Sequence, residues 1–408
     1  MPDSSQQAMQ NLTAQWYNSV TTGLGLDPNN FQLIQASQPL DTTTEKLWQY
    51  FNAMPPLSVT NYFNPAQING FAEAYGAVVL NLQPVGATTF MKIMGDYYAS
   101  WAAYFADNPP TAPQTSLEVF TTWAYRNIPN PATQNAAITA FKQTGFTVPG
   151  IATNMYIDGQ IAGTYAYTTT YEQLQQLLAS APSKSVTMSS STASSDVSHT
   201  WASGSVGGAY EIFSGSANAS YDKLTQQFAG SQVTVEASFD SVLQLAAAPL
   251  SQVSKDPTLS QYKPWFYGPA LSLAFHNNNN IVWNNNPPTW SETFGPGGNM
   301  QRICSALIIV DGIDITVTSQ ANFSQGDQDA FKAAAEAGFW PFFSVQGSGG
   351  HSVSTSFSSD GSASVTTHVP AGNPQVFGAI VNTITALVSG QDAQQQFAKL
   401  EAAAVLAV

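Results

Sequence analysis

The sequence predicts an α+β protein: a mainly helical domain over residues 1–180, a Ser/Thr-rich antiparallel β domain with long strands over 181–372, and a C-terminal helical segment over 373–408. Three observations predict it. Apolar residues recur at steps of three and four through the first 180 positions, the composition shifts at Ser183 to Ser, Thr, Ala, Gly and Val, and from there the hydrophobic period becomes two.

Within the first part, Gln6 to Thr22 sets Met9, Leu12, Trp16 and Val20 on one helical face. Thr44 to Met54 makes a second helix, stopped by Pro55-Pro56. Ala66 to Leu82 and Thr88 to Phe105 follow as a pair, and Phe90, Ile93, Met94, Tyr97, Trp101 and Phe105 form an aromatic stripe that reads as core packing. Leu117 to Tyr125 and Thr133 to Thr144 complete the set. Near 151–163, Met155-Tyr156-Ile157-Asp158-Gly159 reads as a strand, a turn and a second strand, with a helix from Tyr171 to Leu178 behind it. Val148-Pro149 followed by this Asp-Gly turn resembles the second half of a glutaredoxin-type thioredoxin fold over about thirty residues. The chain has no Cys-x-x-Cys, so no redox function comes with the resemblance.

In the β part, Val233 to Leu245 carries apolar residues at odd positions, which predicts one apolar face over the whole stretch. Val197 to Trp201, Ala209 to Tyr221 and Leu307 to Thr318 are further extended segments, the last interrupted by Asp311-Gly312 as a bulge or a turn. Asp327 to Ala337 reads as a helix. His351 to Val369 reads as a hairpin whose register follows from its turn. A three-residue turn at Ser359-Asp360-Gly361, with Gly361 left-handed, pairs Phe357 with Ala363, Thr355 with Val365 and Val353 with Thr367, and gathers the apolar residues on one side. A two-residue turn would mix the sides. Val376, Phe377, Ile380, Val381, Ile384, Leu387 and Val388 then form a helical stripe, and Gln391 to Leu406 a last helix.

The 408 residues carry a net charge of −14, with nine lysines and two arginines scattered singly. Nothing gathers enough cation to neutralise a run of phosphates, which excludes nucleic acid as a partner. The N-terminus has neither the basic nor the apolar region of a conventional secretory signal, and the apolar stretch at 376–388 is too short to span a bilayer. A soluble protein is expected, cytoplasmic or released by a non-classical route. Cys304, the single cysteine, sits in an apolar strand and is expected to be a packed, inert thiol.

Candidate chemistry is sparse. The four histidines, at 199, 276, 351 and 368, include no pair at metal-ligand spacing, and the hairpin register puts His351 and His368 on opposite faces. No cofactor or metal site is expected. No Walker loop, dinucleotide fingerprint or Gly-x-Ser-x-Gly elbow occurs. If the protein is an enzyme, His199, His276, Asp311 and Asp314 are its candidate acid–base or metal-binding groups.

Two features point to binding instead. The segment from Tyr262 to Phe294 combines Trp265, Tyr267, His276, Trp283 and Trp290 with runs of Asn, suited to stacking on and hydrogen-bonding a neutral polar ligand. The alternative is a long loop whose aromatics plug the end of a sheet. The second feature is the β ribbons, which are apolar on one side and hydroxyl-bearing on the other. Such ribbons fit an ordinary sheet, or a pore-forming toxin's membrane-inserting hairpin with Val353, Thr355, Phe357, Ala363 and Val365 toward lipid. The expected function is therefore a non-catalytic protein that binds a neutral surface ligand or lipid and self-associates as a homo-oligomer or inserts through these ribbons. An enzyme and a self-assembling or crystal-forming structural protein are the alternatives.

Overall fold

The computed structural model describes residues 4–40, 43–55, 70–82, 87–108, 114–144, 169–191, 230–246, 268–279, 286–336 and 350–388, with a few isolated positions between them. These form a seven-stranded antiparallel sheet with helices around it. In chain order the elements are α1 (Ser4–Leu24), β1 (Phe31–Pro39), α2 (Thr44–Asn52), α3 (Phe71–Asn81), α4 (Ala87–Met94), α5 (Tyr97–Asp107), α6 (Ser116–Asn127), α7 (Pro131–Thr144) and α8 (Tyr171–Ser180). Then follow β2 (Lys184–Ser189), β3 (Val233–Ala246), α9 (Gly268–His276), α10 (Trp290–Phe294), β4 (Arg302–Ser319), α11 (Gln325–Glu336), β5 (Ser352–Phe357), β6 (Ala363–Val369), β7 (Gln375–Thr383) and α12 (Ile384–Val388). The predicted α+β class holds.

The sheet is organised around the 18-residue strand β4. One of its edges pairs with β3 from Ala306 to Ser319. The other edge is shared: β7 takes residues 302–310 and β6 takes 313–319. β1 joins outside β7, β2 outside β3 and β5 outside β6. The exchange of partners falls at Gly312, which has φ +61 and supplies the left-handed residue that the break requires.

Side-chain alternation resets there. Ile313, Ile315 and Val317 face the same core as Ala306, Ile308 and Val310, whereas Leu307 and Ile309 face another. The same happens on β3, where Val233, Val235, Ala237 and Phe239 face one core and Leu243 and Leu245 the opposite one. The β3–β4 register runs on unshifted from Phe239–Ile313 to Ser241–Asp311, so both strands reset together. The expectation of a single apolar face from Val233 to Leu245 is thereby corrected: the odd positions change sides after Phe239.

Two further expectations are corrected. Residues 375–383, predicted as helix, form β7, with only 384–388 helical behind it. Val376, Ala379 and Val381 bury into one core while Phe377 and Ile380 bury into the other, so burial on both faces removed the period-two signal. The stretch predicted as one helix from Thr88 to Phe105 is two, α4 and α5, separated at Gly95 with φ +49. β1 carries no alternation that sets it apart, and it is held by α1: the Tyr17 hydroxyl donates to the Phe31 carbonyl at 2.7 Å and its ring stacks on Phe31. Burial pushes that phenol well above its ordinary range.

Three cores result. The first packs α2, α3, α8, α9 and α12 on one side of the sheet, over the half where β4 meets β7. The second lies on the other side and runs the full length of the sheet, under α1 and α11. The third belongs to the helices α4–α7, built on Phe90, Trp101, Phe120, Trp123 and Phe141, with Phe120 and Phe141 stacked at 4.4 Å. Capping boxes start α6, α8 and α10 at Thr115, Thr170 and Thr289.

Candidate functional site

Beyond Gly312 the helices of the first core no longer cover their side of the sheet. Fifteen residues there, twelve of them hydroxyl-bearing, are register-aligned across five strands, in the order β2, β3, β4, β6, β5. One row is Ser189, Thr234, Thr318, Ser364 and Ser356; the next is Thr187, Glu236, Thr316, Thr366 and Ser354; the third is Ser185, Ser238, Asp314, His368 and Ser352. All fifteen are exposed or half-buried, and the residues alternating with them on β2, β3, β4 and β6 are buried in the second core. At about 4.8 Å between strands and about 6.8 Å between same-face residues, the array covers roughly 19 by 14 Å.

Side chains bond along the rows. Thr316 and Thr366 hydroxyls lie 2.9 Å apart, and Thr318 and Ser364 hydroxyls 3.5 Å. In the third row, Nδ1 of His368 lies 2.8 Å from Oδ1 of Asp314. The array carries no aromatic ring besides that imidazole, and its two acidic groups, Glu236 and Asp314, lie in different rows.

Asp311 and Asp314 do not converge. Asp311 turns to the β6–β7 connection, where its carboxylate accepts the backbone N–H groups of Gly372 (2.9 Å) and Asn373 (3.0 Å). It is a turn-holding residue, while Asp314 belongs to the array. Sequence reasoning singled out both but missed the partner of each, because His368 and Gly372 lie more than fifty residues away.

Of the histidine and aromatic candidates, His199, Trp265 and Tyr267 lie outside the described residues. His276 ends α9 on the surface, its Nδ1 2.8 Å from the Ser272 carbonyl one turn back. Trp283 is buried and its indole N–H donates to the Ala274 carbonyl at 3.1 Å; the Trp290 N–H donates to the Phe275 carbonyl at 2.8 Å. Both rings pack edge-on against Phe294. These tryptophans spend their polar atoms on backbone and cover the end of the first core, as plugs do. Among the described residues no group of three His, Cys, Asp or Glu side chains could hold a metal ion.

The hairpin register matches the expected one: Phe357–Ala363, Thr355–Val365 and Val353–Thr367 pair directly, and Gly361 has φ +88. Asp360 closes the turn, accepting from Ser358 and from the Ser362 amide, and these bonds hold its carboxyl below the usual range. The ribbon's apolar side packs into the second core: Ala363 and Val365 are buried, and Val353 and Phe357 are half-buried beside α11. β5 and β6, of six and seven residues, are shorter than the 9–11 that a spanning strand needs. Among the described residues no helix is long and apolar enough to cross a membrane. Cys304 is buried on β4 and its thiol is pushed up to about 12 by desolvation.

No family model matches the chain, and comparison with curated proteins and with solved structures finds no match either.

Proposed function

We propose that the protein is a non-catalytic binding protein whose recognition surface is the hydroxyl array. The observation that supports this reading is the register itself: fifteen exposed or half-buried side chains from five strands fall into three rows on one side of a sheet. Hydroxyls donate and accept alike, so a regular array of them complements a neutral surface that repeats hydroxyl or ether oxygens. Sugar headgroups presented side by side on a neutral membrane are such a surface. The sparse charge of the array disfavours an ionic ligand of either sign.

The enzyme reading fares worse on the same geometry. Asp314, His368 and Ser352 do stand in line on neighbouring strands, in the order of a hydrolytic triad. An acyl-transfer site also requires N–H groups aimed at a developing oxyanion, and sheet amides lie in the plane of the sheet rather than on the face where these three side chains stand.

The test is cosedimentation with phosphatidylcholine vesicles, with and without a neutral glycosylated lipid, alongside release of a trapped dye. Binding that requires the sugar, leaves the dye inside and weakens about tenfold in Thr316→Ala/Thr366→Ala supports the reading. Equal behaviour toward both vesicles overturns it, and dye release would favour membrane insertion through the ribbons.

A further inference from the structure

Three strands have a single neighbour among the described residues: β1, β2 and β5. Such edges offer free backbone groups to other chains, and proteins blunt them with charge, proline, bulges or covering elements. β1 is interrupted by a bulge between Leu33 and Gln38 and ends on Pro39. β2 begins with Lys184 and has the end of α1 beside it, where a Cβ on Gly23 would meet the Val186 side chain at 2.9 Å and the Ser185 carbonyl at 3.0 Å. β5 has neither charge, proline nor bulge, and α11 packs against the ribbon's apolar face. Its sequence, Ser352-Val353-Ser354-Thr355-Ser356-Phe357, is uncharged, free of proline and paired to β6 over six consecutive residues without a shift.

The free edge also has a defined pattern. The Ser358 amide donates to the Ser362 carbonyl across the turn. In an antiparallel pair the inward-pointing residues recur every second position, so the even residues of β5 point their backbone groups at β6. Val353, Thr355 and Phe357 point theirs outward. Thr355 stands among them on the apolar side of the ribbon, its hydroxyl oxygen buried and without a hydrogen-bond partner among the described residues.

We propose that two copies of the chain join through β5, antiparallel and centred on Thr355. In that register Thr355 lies opposite the partner's Thr355, and the two exchange both backbone bonds. Their side chains then stand directly opposed on the apolar face of the junction, at the wider spacing of a hydrogen-bonded pair. Val353 lies opposite the partner's Phe357, a favourable β-branched and aromatic pair. Ser354 lies opposite the partner's Ser356, so the hydroxyl array continues across the junction onto the second copy. β5 brings no charge to this junction, in a chain whose net charge of −14 opposes association elsewhere.

The pairing does not depend on what the array binds, and its test contains no ligand. Sedimentation velocity of the full chain over a wide concentration range is expected to show 43.4 kDa monomer passing to twice that mass. Ser354→Lys/Ser356→Lys and Ser354→Glu/Ser356→Glu alter exposed positions, so both variants keep the fold, checked by circular dichroism. Each places like charges directly opposite one another twice and weakens association by about tenfold or more. Mixing the two variants restores it. A wild-type chain that stays monomeric throughout, variants that associate as the wild type does, or a mixture that fails to recover would each overturn the proposal.

Discussion

The carboxylate of Asp240 occupies the space in which any side chain at Gly312 would begin. A Cβ at 312 would lie 2.1 Å from Asp240 Oδ2, and Gly312 already sits at φ +61. Gly312→Ala therefore meets both a clash and a left-handed backbone, the second worth about 1–2 kcal/mol. Asp240→Ala removes the clash alone. Chemical denaturation is expected to show Gly312→Ala costing less in the Asp240→Ala background than in the wild type, but still about 1–2 kcal/mol.

The two acidic residues around that glycine are predicted to separate by stability. Asp311→Ala strands the Gly372 and Asn373 amides and is expected to lower unfolding free energy by about 1.5–3 kcal/mol. Asp314→Asn weakens an exposed pair, with side-chain exposures of 55% for Asp314 and 47% for His368. It is expected to cost less than about 1 kcal/mol.

The helix caps divide by pH. Bonds from the Thr115 backbone amide and then its hydroxyl hold the Glu118 carboxyl below its ordinary 4.5, as those from Thr289 do for Glu292. A depressed carboxyl stabilises the fold above its unfolded value, and that contribution fades as pH falls below 4.5 through the folded value. The box at Thr170 uses Gln173 and does not titrate. Thr170→Ala is expected to cost about 1 kcal/mol at every pH, whereas Thr115→Ala narrows its difference from wild type in acid. Urea denaturation at pH 7 and pH 3 distinguishes the two.

Cys304 is predicted to resist thiol reagents in the native protein and to react fully in denaturant. The folded thiol stays neutral up to about 12, against 9.0 when free. The stability it contributes is complete below pH 9 and is lost as pH rises from there toward 12. Labelling that proceeds at native pH without unfolding would contradict the burial.

Trp283→Phe removes the donor to the Ala274 carbonyl and part of a buried ring, with an expected loss of about 1–3 kcal/mol in stability. Vesicle binding by the folded variant is expected to be unchanged, because the ring serves the first core.

What could be read in the sequence follows burial. β5 and β6 are wet on one side, so Ser354, Ser356 and Ser364 alternate with Thr355, Phe357 and Val365, and the turn at Gly361 fixed their register in advance. Helix α11 announced itself by Gly326-Asp327 at its start and Gly338 beyond its end. β7 is buried on both faces, and Val376, Phe377, Ile380 and Val381 imitate a helical stripe. On β3 the alternation looked unbroken because Phe239, Leu243 and Leu245 are all odd, while the reset that sends them to different cores depends on Gly312, a residue on another strand. The array was half legible: hydroxyls on each strand were visible, but their alignment over five strands is a property of pairing between segments as far apart as Ser185 and His368.

Of the described strands, β3 and β4 alone run from the helix-covered half of the sheet into the open half. A load placed on the array passes straight into the helix-covered half along these two backbones, through the point where both change their alternation, and into the second core beneath. Gly312 sits on the first of those paths.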